Sequence, residues 1–163
     1  TCALPILPKD NPRPDGWALE ILSKGHRNPQ GLAIHPDTGA LWSHEHGPRG
    51  GDEINVITGG DNYGWPTVSH GKEYIGGTIG IGTSAPGFAD PAWVWTPSIA
   101  PSGMAFYKGA MFPRFNGHLL VGSLKFKRLY LVRLSAGVPQ DELVILDGSI
   151  GRVRDVEIGR AHV

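Results

Sequence analysis

Gly31-Leu-Ala-Ile34, a turn, Ala40-Leu-Trp42, then Glu53-Ile-Asn-Val-Ile57 is the stretch that decides the fold. Its apolar residues fall in short runs of branched and aromatic types, and Asp37-Thr38-Gly39 supplies a tight reversal between the first two. The same order returns downstream. Gly103-Met-Ala-Phe106 leads through the turn chemistry of Phe115-Asn116-Gly117 to His118-Leu-Leu-Val121, and then to Leu129-Tyr-Leu-Val-Arg133. Each pass outlines a four-stranded meander, if a weak outer strand is allowed. One such sheet cannot bury both faces alone and must stack on neighbours, so its repetition predicts propeller blades. A β-sandwich has similar strand spacing and is the competing architecture.

Working outward, β-type segments are predicted at Trp17–Leu22, Gly31–His35, Ala40–His44, Glu53–Ile57, Gly103–Tyr107, His118–Ser123, Leu129–Leu134 and Leu143–Leu146. No 3.6-residue apolar period persists beyond a turn or two, so no helix is expected. The 24 Gly and 14 Pro among 163 residues fit many short strands joined by tight turns. Residues Gly59 to Pro97 are too polar and glycine-rich for core. They read as a long insertion between blades, of the kind that usually carries function. The length suits about three blades, whereas closed propellers take roughly four to eight. Uncovered blade faces are the consequence, and the chain is not expected to be a self-sufficient fold.

Composition excludes some partners. Lys+Arg and Asp+Glu both count 15, so no net field draws the chain to nucleic acid or an anionic membrane. No apolar run nears the ~20 residues that span a bilayer. Thr1–Ile6 and Ile158–Val163 can be encoded by opposite strands of one short piece of DNA that resembles a common sequencing adapter. Both ends, 1–6 and 158–163, are therefore expected to be non-native, leaving 7–157 as one partial propeller domain. Cys2 falls in the first of them, so neither disulfides nor thiol chemistry is expected.

Four segments are unusual for plain blades. In Gly25-His-Arg-Asn-Pro-Gln-Gly31, adjacent Arg27 and Asn28 offer a planar cation and an amide, suited to a carboxylate and a carbonyl. The bland reading is a turn with a surface arginine. In Glu45-His-Gly-Pro-Arg-Gly-Gly-Asp-Glu-Ile-Asn55, a glycine-rich loop bearing carboxylates can wrap a hard cation with oxygens, although it lacks EF-hand spacing. His44 and His46 could instead be a zinc pair, but no third ligand has diagnostic spacing, and hydrogen-bonding histidines are the preferred reading. Asn62-Tyr-Gly-Trp-Pro66, followed by Tyr74, reads as an aromatic-anchored loop, with Trp65 packing on the core. The fourth set is distributed over Thr96-Pro-Ser-Ile-Ala-Pro-Ser-Gly103, Lys125 and Arg152-Val-Arg-Asp155. Arg152 and Arg154 alternate along an extended strand and face one way, either toward an anion or into solvent.

Taken in order, these motifs resemble the soluble aldose sugar dehydrogenases of the glucose/sorbosone dehydrogenase family, which use pyrroloquinoline quinone (PQQ) and calcium. The resemblance covers nearly all of 7–157 and implies an all-β chain, part of a six-bladed β-propeller of four-stranded antiparallel sheets. It implies that Arg27 and Asn28 contact the quinone, and that Tyr74, Thr96, Ser98, Lys125, Arg152 and Arg154 lie at or near cofactor-contact positions. It implies a calcium ion on the Gly47-Pro48 turn in some members, and one associated with Glu53 and Tyr63 in the aldose dehydrogenase branch. The flat, triply anionic cofactor suits several fixed cations and a hard Lewis acid. The implied reaction oxidises an aldose at its anomeric carbon to a lactone and passes electrons to a separate acceptor, in a periplasmic or secreted protein. A non-catalytic propeller binding module and a calcium-stabilised structural propeller are the alternatives, and neither needs four cations aimed at one point.

The family's general base is a histidine upstream of the Arg-Asn motif, and no histidine precedes Gly25 here. His26, His44 and His46 are not promoted to that role. The 163-residue chain is therefore expected to show no PQQ-dependent dye reduction, and measurable turnover would overturn that expectation.

Overall fold

The computed structural model describes residues 10–12, 14 and 16–159. The expected non-native residues 1–6 and 160–163 lie outside the described residues. Ile158 and Gly159 lie within them.

The chain folds into two four-stranded antiparallel sheets, β1-β2-β3-β4 and β5-β6-β7-β8, each a meander in sequence order. The strands are β1 (Pro29–Ile34), β2 (Leu41–Glu45), β3 (Asp52–Ile57), β4 (Trp93–Trp95), β5 (Pro101–Phe106), β6 (Leu119–Ser123), β7 (Arg128–Ser135) and β8 (Val138–Asp147). A single 3-10 turn, Pro113–Phe115, is the helical structure among the described residues. Both predicted hairpin turns form, with Gly39 and Gly117 in the left-handed region that only glycine enters freely. Leading strands β1 and β5 touch each other, which stacks the sheets as adjacent blades of a partial propeller.

The core lies between the blades. Trp42, Ile54 and Trp95 of the first sheet pack on Met104, Leu119, Val121, Tyr130 and Val132 of the second. Trp42 meets the edge of Phe106 at 5.4 Å and 89°, a favourable crossing of two ring quadrupoles. At the outer edge Trp95 Nε1 donates to Glu142 Oε2 at 2.5 Å, joining β4 to β8. On the far face of the second sheet, Tyr107, Leu120 and Leu131 form a smaller cluster against which Val156 and Ile158 pack. The opposite face of β1 is open: Leu32 and Ile34 are 65% and 67% exposed.

Four sequence expectations need correction. Trp17–Leu22 is not a strand. Its backbone reverses through an Ile21 N–H bond to Ala18 O, so its branched residues do not extend. The long glycine-rich segment sits inside the first blade, between β3 and β4, because Trp93–Trp95 returns as that blade's outer strand. Residues 58–92 thus take up the length assigned to a further blade, and two sheets form where about three were expected. Arg152-Val-Arg-Asp155 belongs to no sheet among the described residues, although Val153 is buried while Arg152 and Arg154 point outward.

One buried side chain fixes the crossover between blades. Asp52 is fully buried at the start of β3. Its Oδ1 accepts from Gly47 N at 2.9 Å, and its Oδ2 accepts from Ser98 Oγ at 2.6 Å and from Ile99 N and Ala100 N at 2.8 Å each. The segment leaving β4 is thereby held against the turn that follows β2. Ile99 O in turn accepts from Ser123 Oγ at 2.6 Å and Lys125 N at 3.3 Å, which brings in the β6–β7 turn. Asp52→Asn places an amide N–H against at least one of these donors. It should lower unfolding stability by about 3 kcal/mol or more, read from the urea midpoint at unchanged slope.

Candidate active site

The motif-bearing segments collect where β1, β3 and β5 begin and β2, β4 and β6 end, because antiparallel meanders put those termini at one edge. Glu45, the last residue of β2, is the hub. It is 4% exposed. Its Oε2 accepts from the backbone N–H groups of Arg27 at 2.5 Å and Asn28 at 3.1 Å. Its Oε1 accepts from Asn55 Nδ2 at 3.0 Å and lies 3.2 Å from His26 Nδ1, whose ring stacks on Tyr63 at 4.6 Å. His26 Nε2 is 2.9 Å from Ser23 Oγ.

Arg27 is pinned from both sides. Nη1 donates to His46 O at 3.0 Å and Gly47 O at 3.3 Å, and the guanidinium lies 5.3 Å from the Trp65 ring centre. Trp65 therefore covers an arginine instead of anchoring its loop on the core. Tyr63 is the anchor, buried, with its hydroxyl donating to Val56 O at 2.6 Å and accepting from Thr58 N at 2.9 Å. Gly47 is obligatory in this turn, since a Cβ there would lie 2.2 Å from Gly50 O and 2.3 Å from Gly51 O.

Glu53 stands directly opposite Glu45 across the β2–β3 ladder, and Asn55 Nδ2 reaches both acids, at 3.0 Å to Glu45 and 3.5 Å to Glu53. Two acids on one face repel. Burial, and then the charge of Glu45, push the Glu53 carboxyl up to about 7. Together with Arg27, Gly47, Tyr63, Trp65 and Ser69, the two acids line a cavity of about 20 Å³, room for one ion or water. Asn55 Oδ1 is buried with no partner. Among the described residues no three His, Cys, Asp or Glu side chains converge as a metal cluster, so an ion here would need backbone oxygens as well.

The remaining predicted residues divide. Asn28, Thr96, Lys125, Arg152 and Arg154 are exposed at the same edge. Thr96 lies over Gly50, Lys125 Nζ is 5.0 Å from the Phe126 ring centre, and the Arg152–Arg154 segment is tied in by Ser102 Oγ donating to Val153 O at 2.6 Å. Ser98 spends its hydroxyl on Asp52. Tyr74 is 68% exposed, and only its carbonyl is engaged, by Arg49 Nη1 at 3.4 Å. On the Gly47-Pro48 turn, Gly47 O already faces Arg27, so a divalent ion on that carbonyl would meet a guanidinium. On the Glu53 side of the same cavity two carboxylates stand against that guanidinium, which favours a cation there. His46 Nε2 lies 2.7 Å from Pro101 O, as a hydrogen-bonding histidine would. His44 does not match that reading: both ring nitrogens are buried without partners, and burial and then His46 bring its pKa down to about 4.

Sequence reading quoted Glu45 and Asp52 inside a motif but assigned neither a role. The available signal was three acids, Glu45, Asp52 and Glu53, at the ends of two runs whose other members include Trp42, Ile54, Val56 and Ile57, since an acid buried in a sheet is rare without work to do.

These observations agree with comparison to known proteins. Residues 6–162 match the model of the family described as Glucose / Sorbosone dehydrogenase. The aldose sugar dehydrogenase YliI of Escherichia coli (strain K12) is 42% identical over 157 residues, covering 94% of this chain and 42% of that protein. The apo-form crystal structure of the soluble aldose sugar dehydrogenase from Escherichia coli superposes with a TM-score of 0.88 at 42% identity, over 94% of this chain and 45% of that one. The PQQ-bound form of an aldose sugar dehydrogenase from Streptomyces coelicolor superposes with a TM-score of 0.69 at 32% identity, over 91% and 38%. The chain spans less than half the length of these relatives. With its motifs gathered on one edge of two propeller blades, the chain belongs to the glucose/sorbosone dehydrogenase family.

Proposed function

We propose that this chain supplies the cofactor-facing edge of a PQQ- and calcium-dependent dehydrogenase that oxidises aldose sugars at the anomeric carbon. The observation that carries the reading is the gathering of Arg27, Lys125, Arg152 and Arg154 on segments of one propeller edge, beside two facing acids. A plain binding module gives no reason for that combination.

The residues suit both groups. Asn28, Lys125, Arg152 and Arg154 are exposed and offer an amide and cations to a planar tricarboxylate, with arginine able to take a carboxylate in two parallel bonds. The cavity of about 20 Å³ is ion-sized, so the quinone belongs on the open rim and a calcium ion in the cavity. There Glu53 and the Tyr63 main chain would hold the ion. Tyr63 would not ligate through its hydroxyl, which is already used twice. PQQ, when bound, supplies the two-electron acceptor for the sugar's hydride. The chain's own work is to orient that acceptor through Arg27 and Asn28 and to balance its carboxylates with the rim cations. The sugar, a separate electron acceptor and a periplasmic or secreted setting complete the reading. Among the described residues no helix is long and apolar enough to cross a membrane.

Two outcomes test this. Glu53 is raised from 4.5 to about 7 in the ion-free fold, so the folded state binds the extra proton. Ion-free stability is then highest below about pH 4.5 on this account and falls as pH rises toward 7, by at most about 3 kcal/mol. Calcium should raise the melting temperature at pH 8 much more than at pH 5, and Glu53→Gln should abolish the difference; a calcium shift that is equal at both pH values refutes the site. Arg152→Ala with Arg154→Ala should weaken PQQ binding at least tenfold, measured by tryptophan quenching, with the melting temperature within about 2 °C of the parent.

A further inference from the structure

We propose that Glu45 is the positioning residue of the quinone loop, setting quinone affinity without touching the quinone. The proposal rests on the dehydrogenase reading above. Two successive backbone N–H groups, of Arg27 and Asn28, point at the single oxygen Oε2 of Glu45. Consecutive amides turned to one side make a small anion-holding concavity, and here the anion is built into the fold.

The rest of the loop's attachment follows from that contact. With its amides held, Asn28 O accepts from His46 N at 3.0 Å, and the Arg27 guanidinium reaches His46 O and Gly47 O. Every polar tie of Arg27 and Asn28 to β2 and its following turn thus runs to Glu45 or its two successors. The carboxyl is itself clamped by Asn55 on Oε1 and by the His26 ring, which Tyr63 backs and Ser23 meets on its other nitrogen. Glu45 lies on β2, and its Oε1 is held from β3 by Asn55, outside the loop, so the sheet fixes the carboxyl. The loop follows Glu45. The same oxygen excludes a competing event: were Glu45 absent, the open pair of amides would attract a carboxylate of the quinone itself and draw it out of line with the rim cations.

The experiment uses the 163-residue chain with PQQ and excess calcium, read by quenching of tryptophan fluorescence. Glu45→Gln keeps the side chain's size, but its amide N–H must face either the two backbone N–H groups or the His26–Asn55 pair. Quinone affinity is expected to drop at least tenfold, with amide hydrogen exchange at Arg27 and Asn28 accelerated about tenfold and exchange at Leu120 and Leu131 unchanged. Glu45 acts through the Arg27 segment, so in an Arg27→Lys background the same substitution should cost only about twofold. A general structural defect would instead give the full factor in both backgrounds and speed exchange everywhere. Full additivity, or undiminished affinity in Glu45→Gln, overturns the proposal while the dehydrogenase reading stands. Failure of the parent chain to bind PQQ while its amide exchange at Leu120 and Leu131 remains slow, the mark of a folded core, brings down that reading and this proposal together.

Discussion

The structure depends on two buried acids, Asp52 and Glu45, whose most numerous donors are backbone amides. Asp52 gathers four donors from the turn after β2 and the crossover out of β4, and Glu45 gathers two more from the entry to β1. Strand pairing alone fixes distances within each sheet. It does not say where the connecting loops lie. The two acids do, because an amide turned to a fixed oxygen has little remaining choice of φ and ψ, and because each such donor would be costly to leave buried and unmet. The edge that carries the motifs is therefore ordered by the same contacts that hold the blades in register.

Much of the fold was legible in the sequence because each β-type run was short, bounded and rich in branched or aromatic residues. Seven of the eight predicted runs coincide with strands of the structure. Trp17–Leu22 failed because apolar composition says nothing about partners: the segment turns on itself, Ile21 N donating to Ala18 O, and its end is tied to a loop, Leu22 O accepting from Gly60 N at 2.8 Å. Trp93–Trp95 went unseen for the opposite reason. Three residues give no alternation to recognise, and what makes them a strand is the free edge of β3 waiting across a loop. That single omission also misplaced the glycine-rich segment.

The site was legible as motifs and not as geometry. Arg27 and Asn28 stand out as adjacent donors in a turn, and the cationic residues could be noted one by one. Which groups carry them could not be read, since Glu45 meets Arg27 from the far end of a neighbouring strand, and Asp52 meets Ser98 from the opposite side of a long loop. The confrontation of Glu45 with Glu53 is a matter of ladder register, where a shift of one residue would put them on opposite faces. Trp65 illustrates the same limit: a tryptophan beside a proline signals packing, but its partner, a guanidinium, comes from a different segment.

The indole of Trp95 bonded to Glu142 has a mechanical meaning. β1 and β5 meet at the inner margin, while this bond closes the outer one, so the paired sheets are fastened at both ends of their breadth. A wedge fastened only at its narrow end can scissor, and any scissoring would be magnified in the gap between the loops it carries. Fastened at both, it behaves as a caliper set to one opening. The separation between the Arg27 and Lys125 segments is then set by the width of the wedge and not by the loops themselves.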